Sequence, residues 1–228
     1  MFPDVLTQGY RSFLGERLPG ERKKYKTLGR EGQEPDVLLI GCCDSRVAPE
    51  VIFDCGPGEI FTIRNVANIV PPYEEGGGYH GTSSAVEFAV QSLRVKHIVV
   101  MGHATCGGIK AHASGVAPLS PGNFIGKWVS LVEPASRKLA EAGDSTEKPG
   151  YLTRLEYAMI AQSLENLMTF GFVREAVEAG SLDLHGAHFG IETGELRIRD
   201  PRTGAFHSVV ESDGRTLKAS ALLNCSEA

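Results

Sequence analysis

Two short strings in the chain bring together residue types that do chemistry. Cys42-Cys43-Asp44-Ser45-Arg46 follows one apolar run, and His103-Ala104-Thr105-Cys106 follows another. Thiolate sulfur and imidazole nitrogen are the donors that zinc prefers. His103 and Cys106, three apart in a turn after a strand, can reach one ion, and Cys42 can supply a third donor from a neighbouring strand end. Cys43 leaves an extended chain on the opposite face from Cys42 and stands outside the set. Three protein ligands leave one tetrahedral position open, where a water would be acidified toward neutral pH and become a nucleophile. Asp44 points to the same side as Cys42 and can either fill that position or accept a hydrogen bond from the water. Arg46 can pin Asp44 in a bidentate ion pair. The pattern predicts a metal-assisted enzyme, because structural zinc sites are usually closed by paired C-x-x-C knuckles and the chain has none.

The donors need strand ends to carry them. Residues 36–41, 60–63 and 97–102 are short apolar runs with little alternation, which reads as parallel strands covered on both faces. Residues 82–93 have helical spacing behind a Ser/Thr cap and predict a crossover helix. Strand alternating with helix predicts an α/β fold: a central, mainly parallel sheet flanked by helices, with ligands outside the carboxyl ends of the strands. Both strings lie at such ends. Further on, residues 118–122 read as turn, 123–142 as helix interrupted near Pro134, 143–150 as a polar break, 151–169 as a long helix, and 171–180 as a short one. Residues 182–189 alternate strictly and pair with residues 195–198 across a Thr193-Gly194 turn. Trp128 is expected to pack a helix against the sheet.

The 228 residues fit a single domain, 1–228, with residues 1–30 as a helical arm for packing on the domain or on a partner subunit. The arm's basic run, residues 21–26, reads as a solvated helix face. A net charge of -5 and a pI near 5.8 give no general attraction to phosphate backbones, so nucleic acid is not an expected partner. No apolar run is long enough for a membrane span, and the first residues lack a secretory pattern, so the expected compartment is the cytoplasm. Five cysteines fit reduced thiols and metal ligands better than a disulfide framework. Cys43, Cys55 and Cys225 read as small buried hydrophobes. His80, His97, His112, His185, His188 and His207 are assigned no ligand role. Gly107 and Gly108 would let a backbone amide approach an anion. Arg64 and Asn68 are candidates for positioning loops.

With these residues in view, the chain resembles a beta-class carbonic anhydrase. The resemblance rests on C-x-D-S-R at Cys42 to Arg46, G-H-x-x-C-G-G at Gly102 to Gly108, Pro57-Gly58-Glu59, Arg64-Asn65-Val66-Ala67-Asn68 and Val70-Pro71-Pro72-Tyr73. It runs from about residue 33 to 194. It implies reversible hydration of carbon dioxide to bicarbonate and a proton by attack of zinc-bound hydroxide. One zinc per subunit would be held by Cys42, His103 and Cys106, with Asp44 and Arg46 as the dyad that gates and orients. It also implies a homodimer or a larger even-numbered homo-oligomer whose N-terminal helices clasp the partner. Gln33 and Phe61 match substrate-pocket residues, Gln33 acting across the dimer interface, and Gly107 matches a backbone amide near bound anion.

Departures from the family pattern carry information too. Phe88 stands where a tyrosine is common. The closed, bicarbonate-regulated branch has a tryptophan at the place of Leu39 and a tyrosine near that of Phe189, so both partners of its inhibitory anion pocket are missing. Ala187 replaces a tryptophan of the late strand. These positions predict an open resting site, with Asp44 on Arg46 rather than as a fourth ligand to zinc. Two rival readings remain at the level of sequence: a related hydrolase of carbonyl sulfide or carbon disulfide, and a non-catalytic zinc-binding scaffold.

Overall fold

The computed structural model describes residues 2–76, 78, 80–115 and 117–210. Strands β1 (Val37–Cys42), β2 (Ile60–Asn65), β3 (His97–His103) and β4 (Asp183–Phe189) are mutually parallel. Strands β5 (Leu196–Arg199) and β6 (Phe206–Ser208) add antiparallel, giving the order β2-β1-β3-β4-β5-β6. The chain runs outward from β1 to β2, returns past β1 to β3, and then continues outward on the other side. Strand order therefore reverses between β1 and β3, where an open α/β sheet leaves a crevice at its carboxyl edge.

Helices explain why these strands read as continuous apolar runs. α4 (Gly81–Glu87), prolonged by a π-helical stretch over Phe88–Leu93, crosses from β2 to β3. α5 (Gly107–Ala113), α6 (Phe124–Val129), α7 (Glu133–Glu141), α8 (Tyr151–Leu167) and α9 (Gly171–Glu178) separate β3 from β4. Leu38 and Ile40 of β1, Ile98 and Val100 of β3, Val86 of α4, and Ile160, Leu164 and Leu167 of α8 form one buried cluster. Their neighbours in the strands, Leu39, Met101 and Ala187, face the other way into a smaller one shared with Ile52 of α3 (Pro49–Ile52). A third cluster, with Ile109, Val132, Leu155 and Met159, closes around Cys42 and Cys106.

Several expected boundaries move for physical reasons. The helical stretch over 123–142 breaks at a 3-10 turn, Ser130–Val132, and Pro134 lies in the first turn of α7, where its missing N–H would have had no partner. The alternation expected over 182–189 fails in its second half: Gly186, Ala187 and His188 are all buried, because α8 covers one face and Leu39 with Met101 the other. Strand β6 was not expected. Trp128 packs α6 on the loop after β2, donating its indole N–H to Val66 O at 2.8 Å, and lies against the buried cluster around Cys42.

α1 (Asp4–Ser12), a π-helical turn over Phe13–Arg17 and α2 (Leu18–Glu31) form the arm, which buries none of its residues. The basic run is a solvated face, its Lys24 paired with Glu59. Leu28 packs over Gly58, whose absent side chain leaves room for it. The polar break before α8 is drawn in by Arg154, which grips both carboxylate oxygens of Asp144, one at 2.8 Å, and donates to Pro149 O. Cys225 lies outside the described residues.

Two predictions follow from packing and charge. A Cβ at Gly102 would stand 2.8 Å from Ile160 Cδ1, so Gly102→Ala should cost about 1–3 kcal/mol in urea unfolding. Ile160→Val removes that methyl, and the double variant should lose clearly less than the sum of the singles; additivity would place the clash elsewhere. Asp144, held down to about 2 by the side-chain hydrogen bonds from Arg154, gives stability that is full above an unfolded value near 3.9 and is lost as pH falls through about 2. Asp144→Asn lacks that stability at neutral pH, so its unfolding curve should merge with the parent's as the pH is taken from 5 down to about 2.

Candidate metal centre

Parallel pairing of β1 and β3, with Gly41 opposite Met101, carries Cys42 and His103 to adjacent carboxyl ends. After His103 the chain folds back through Thr105, in the left-handed region at φ +56°, and returns Cys106 as the extended residue immediately before α5. The Cys42 and Cys106 sulfurs and one His103 ring nitrogen lie within 4.8 Å of one another. All three side chains are buried: Cys42 is 5%, His103 1% and Cys106 2% exposed. Gly108 permits the approach of α5, since a Cβ there would come within 2.7 Å of Val66 Cγ1.

The histidine tautomer follows from its contact. His103 Nδ1 is 2.9 Å from the Ala104 carbonyl oxygen, which can only accept, so Nδ1 holds the proton and Nε2 presents a lone pair. Among the described residues Nε2 has no hydrogen-bond partner, although it is buried. A buried polar atom without a partner costs about 1–3 kcal/mol. A metal ion held between Nε2 and the two sulfurs removes that penalty, so the residues fit zinc. The Cys106 thiol against the Cys42 sulfur pulls Cys42 well below the ordinary thiol range and pushes Cys106 above it. A cation between the two sulfurs would favour the thiolate form of both.

Asp44 is turned to Arg46. Oδ1 accepts from the Arg46 backbone N–H at 3.0 Å and from Nε at 2.9 Å, while Oδ2 accepts from the guanidinium at 2.7 Å. Arg46 holds the Asp44 carboxyl far below the usual carboxylate range. Oδ2 nevertheless stands 4.0 Å from His103 Nε2, at the edge of the donor cluster. Arg64 fixes the string from behind: its Nε donates to Cys42 O at 2.8 Å and its guanidinium to Asp44 O at 2.7 Å. Ala67, left-handed at φ +64°, directs its N–H at the Cys42 sulfur at 3.4 Å. Asn68, buried and also left-handed, ties the same turn to Ser163 of α8 through its carbonyl.

Sequence reasoning missed a supporting pair, Glu156 and His188. Glu156, buried in the middle of α8, accepts the Cys106 backbone N–H at 3.0 Å with one oxygen and meets His188 Nε2 at 3.0 Å with the other. A carboxylate mid-helix reads as surface charge, and only its flanks, Leu155 and Met159, mark that face as inward. Arg46 and Glu156 also line a cavity of about 570 Å³ with Thr105, Lys110 and Tyr151.

Gly107 opens α5 next to Cys106, exposed, and a Cβ there would meet nothing within 4 Å. Gln33 is exposed in the segment between α2 and β1. Phe61 pairs with Leu38 and meets Phe88 at a tilt, ring centres 5.8 Å apart, four residues before the strand end at Asn65. Neither Gln33 nor Phe61 reaches the cluster within one chain. Cys43 is exposed rather than buried, because its backbone N–H pairs with Asn65 O and its side chain turns outward; Cys55 is half-buried.

Residues 37–196 match the family model described as carbonic anhydrase. Among curated proteins, beta carbonic anhydrase 5, chloroplastic, of Arabidopsis thaliana is 36% identical over 82% of this chain, and beta carbonic anhydrase 6, mitochondrial, of the same plant is 35% identical over 83%. The chain spans 61% and 65% of their lengths. The solved structure of the beta-carbonic anhydrase CcaA is 29% identical, covers 92% of each chain and superposes with a TM-score of 0.84. One of two tetrameric beta-carbonic anhydrases from Sordaria macrospora is 28% identical, covering 90% of this chain and 98% of that one, with a TM-score of 0.75. The chain belongs to the carbonic anhydrase family, in its beta class.

Glu156 gives the centre its test. Glu156→Ala leaves the Cys106 N–H and His188 unpartnered, and should lower stability by about 1–3 kcal/mol and zinc affinity about 10–100-fold in a chelator competition. Glu156→Gln, which still accepts from Cys106, should fall between the two. Unchanged zinc affinity in Glu156→Ala would show that the carboxylate does not position the ligand.

Proposed function

We propose that the chain is a zinc-dependent carbonic anhydrase that interconverts carbon dioxide and bicarbonate, releasing or taking up a proton. The observation that carries this reading is the buried Cys42, His103 and Cys106 donor set with an Asp44–Arg46 pair at its edge. When bound by those three residues, zinc supplies the Lewis acidity that lets water ionise near neutral pH.

The chain's own residues do the rest. Arg46 keeps Asp44 ionised and fixes its direction, so that Oδ2, already an acceptor from the guanidinium, has a lone pair left toward the cluster. An ionised carboxylate can only accept, and it therefore favours an oxygen that bears a hydrogen: water before the reaction, the bicarbonate hydroxyl after it. This selects the orientation of both. Arg64, holding the carbonyls of Cys42 and Asp44, keeps the thiolate and the acceptor in register with each other. The placement of Asp44 on Arg46 supports an open resting state in which the carboxylate is not a ligand.

Substrate contacts from Gln33, Phe61 and the Gly107 amide belong to an assembled pocket. Gln33 is exposed, and Phe2 together with Val5, Leu6 and Tyr10 of α1 is presented to solvent, which supports a homodimer or a larger even-numbered assembly in which the arm covers a second copy.

A proton-release assay with carbon dioxide on zinc-loaded protein tests the reading, with carbonyl sulfide run beside it. Hydration of carbon dioxide is expected, and hydrolysis of carbonyl sulfide alone would reassign the substrate. Cys42→Ser, His103→Ala and Cys106→Ser should each lose zinc by metal analysis. Asp44→Ala and Arg46→Ala should keep zinc but lower kcat/KM about 10–100-fold; an Asp44→Ala enzyme as fast as the parent would sink the role given to that carboxylate.

A further inference from the structure

The amino-terminal edge of the sheet carries a second group of donors, at the opposite ends of the strands from the cysteines. His97 opens β3 and Asp183 opens β4, and the two face each other in the ladder. His185, two residues along β4, pairs with Val99 and so shares a face with His97 and Asp183. His97 Nδ1 lies 3.2 Å from His185 Nε2 and 3.7 Å from an Asp183 oxygen, and one donor atom from each of the three residues falls within 4.8 Å of the others. Ligand atoms on a tetrahedral zinc, at bond lengths of about 2.0–2.1 Å, stand about 3.3 Å apart. The spacing already suits one ion.

The backbone beneath these side chains is fixed. Asp36 O accepts from both Lys96 N–H (2.8 Å) and His97 N–H (3.0 Å), and Asp183 N–H donates to Lys96 O at 2.9 Å. The starts of β1, β3 and β4 are thereby tied together before any ion arrives. Lys96, next to His97, pairs its Nζ with the Asp36 carboxylate at 2.8 Å, and the ion pair of Asp183 is with His97. Burial, and after it the His97 imidazole, hold His185 below the ordinary histidine value, so its ring is neutral and able to donate a lone pair at neutral pH. All three side chains are reachable from solvent.

We propose that His97, Asp183 and His185 form a second metal site, separate from the cysteine centre, for a borderline divalent cation such as zinc or nickel. Two imidazoles and one carboxylate favour such ions over calcium or magnesium, whose ligands are oxygens. With three protein ligands, the remaining positions belong to water or to a group from outside the chain. The ion would clamp β3 to β4 at the amino ends of the ladder.

Nickel titrated calorimetrically into the zinc-loaded, full-length protein reads this directly. One further equivalent of Ni2+ should bind to the parent and to Cys43→Ser, which removes the exposed thiol. His97→Gln and His185→Gln should each abolish that equivalent while keeping the zinc content and the thermal unfolding midpoint of the parent. Bound nickel should also raise the parent's midpoint and leave those of both histidine variants unmoved. Absence of a further equivalent in the parent, or its persistence in both variants, would overturn the proposal.

Discussion

The ladder between β1 and β3 is the constraint on which the centre depends. A thiolate and an imidazole from distant parts of the chain become neighbours only because those two strands run parallel in adjacent positions and end together. Parallel pairing in turn demands crossovers, and the crossovers supply the helices that bury the donors. Gly102, one residue before His103, lets Ile160 of α8 press onto the strand, and Gly108 lets α5 close over the turn at Val66 and Ala67. Packing and donor geometry are therefore set by the same contacts. A side chain at either glycine would move a ligand as well as open the core.

Around that ladder, the elements of the centre that hold a donor are themselves held. His103 is oriented through Nδ1 by a carbonyl, Cys42 receives the Ala67 N–H and has its own carbonyl gripped by Arg64, and Cys106 has its N–H anchored by Glu156. Such outer contacts decide whether three buried donors converge or relax apart when no ion holds them. The charges also close. Two thiolates would balance the two positive charges of a zinc ion held there, and Asp44 with Arg46 is neutral as a pair, so the loaded centre would carry little net charge into a low-dielectric interior.

What could be read in the chain, and what could not, divides along one line. Cys42, Asp44, Arg46, His103 and Cys106 were legible because each sits within a few residues of a strand end, where local order fixes direction. Gln33 and Phe61 were legible only through family resemblance, since a single chain brings neither to the cluster. Glu156 was hidden because its role depends on which way α8 rolls against β3 and β4, a tertiary outcome that an amphipathic pattern states only coarsely. His188 was hidden by its own strand: alternation made it look like the outer partner of Ala187, and burial of both faces erased that signal. Cys43 was misread for the opposite reason: the strand ends at Cys42, one residue too early for the sheet to cover it.

A single strand, β3, carries His97 at its start and His103 at its end, about 20 Å apart at 3.3 Å per residue. The physics at the two ends differs even though the residue type is the same. At the carboxyl end the imidazole nitrogen is buried without a partner, so an unloaded centre pays a desolvation cost that binding recovers. At the amino end water, a neighbouring imidazole and an exposed carboxylate satisfy the donors in the absence of metal, so binding recovers only the difference between those partners and an ion. The cysteine centre is thus the tighter of the two by construction, and the amino edge the one able to exchange its ion with solution.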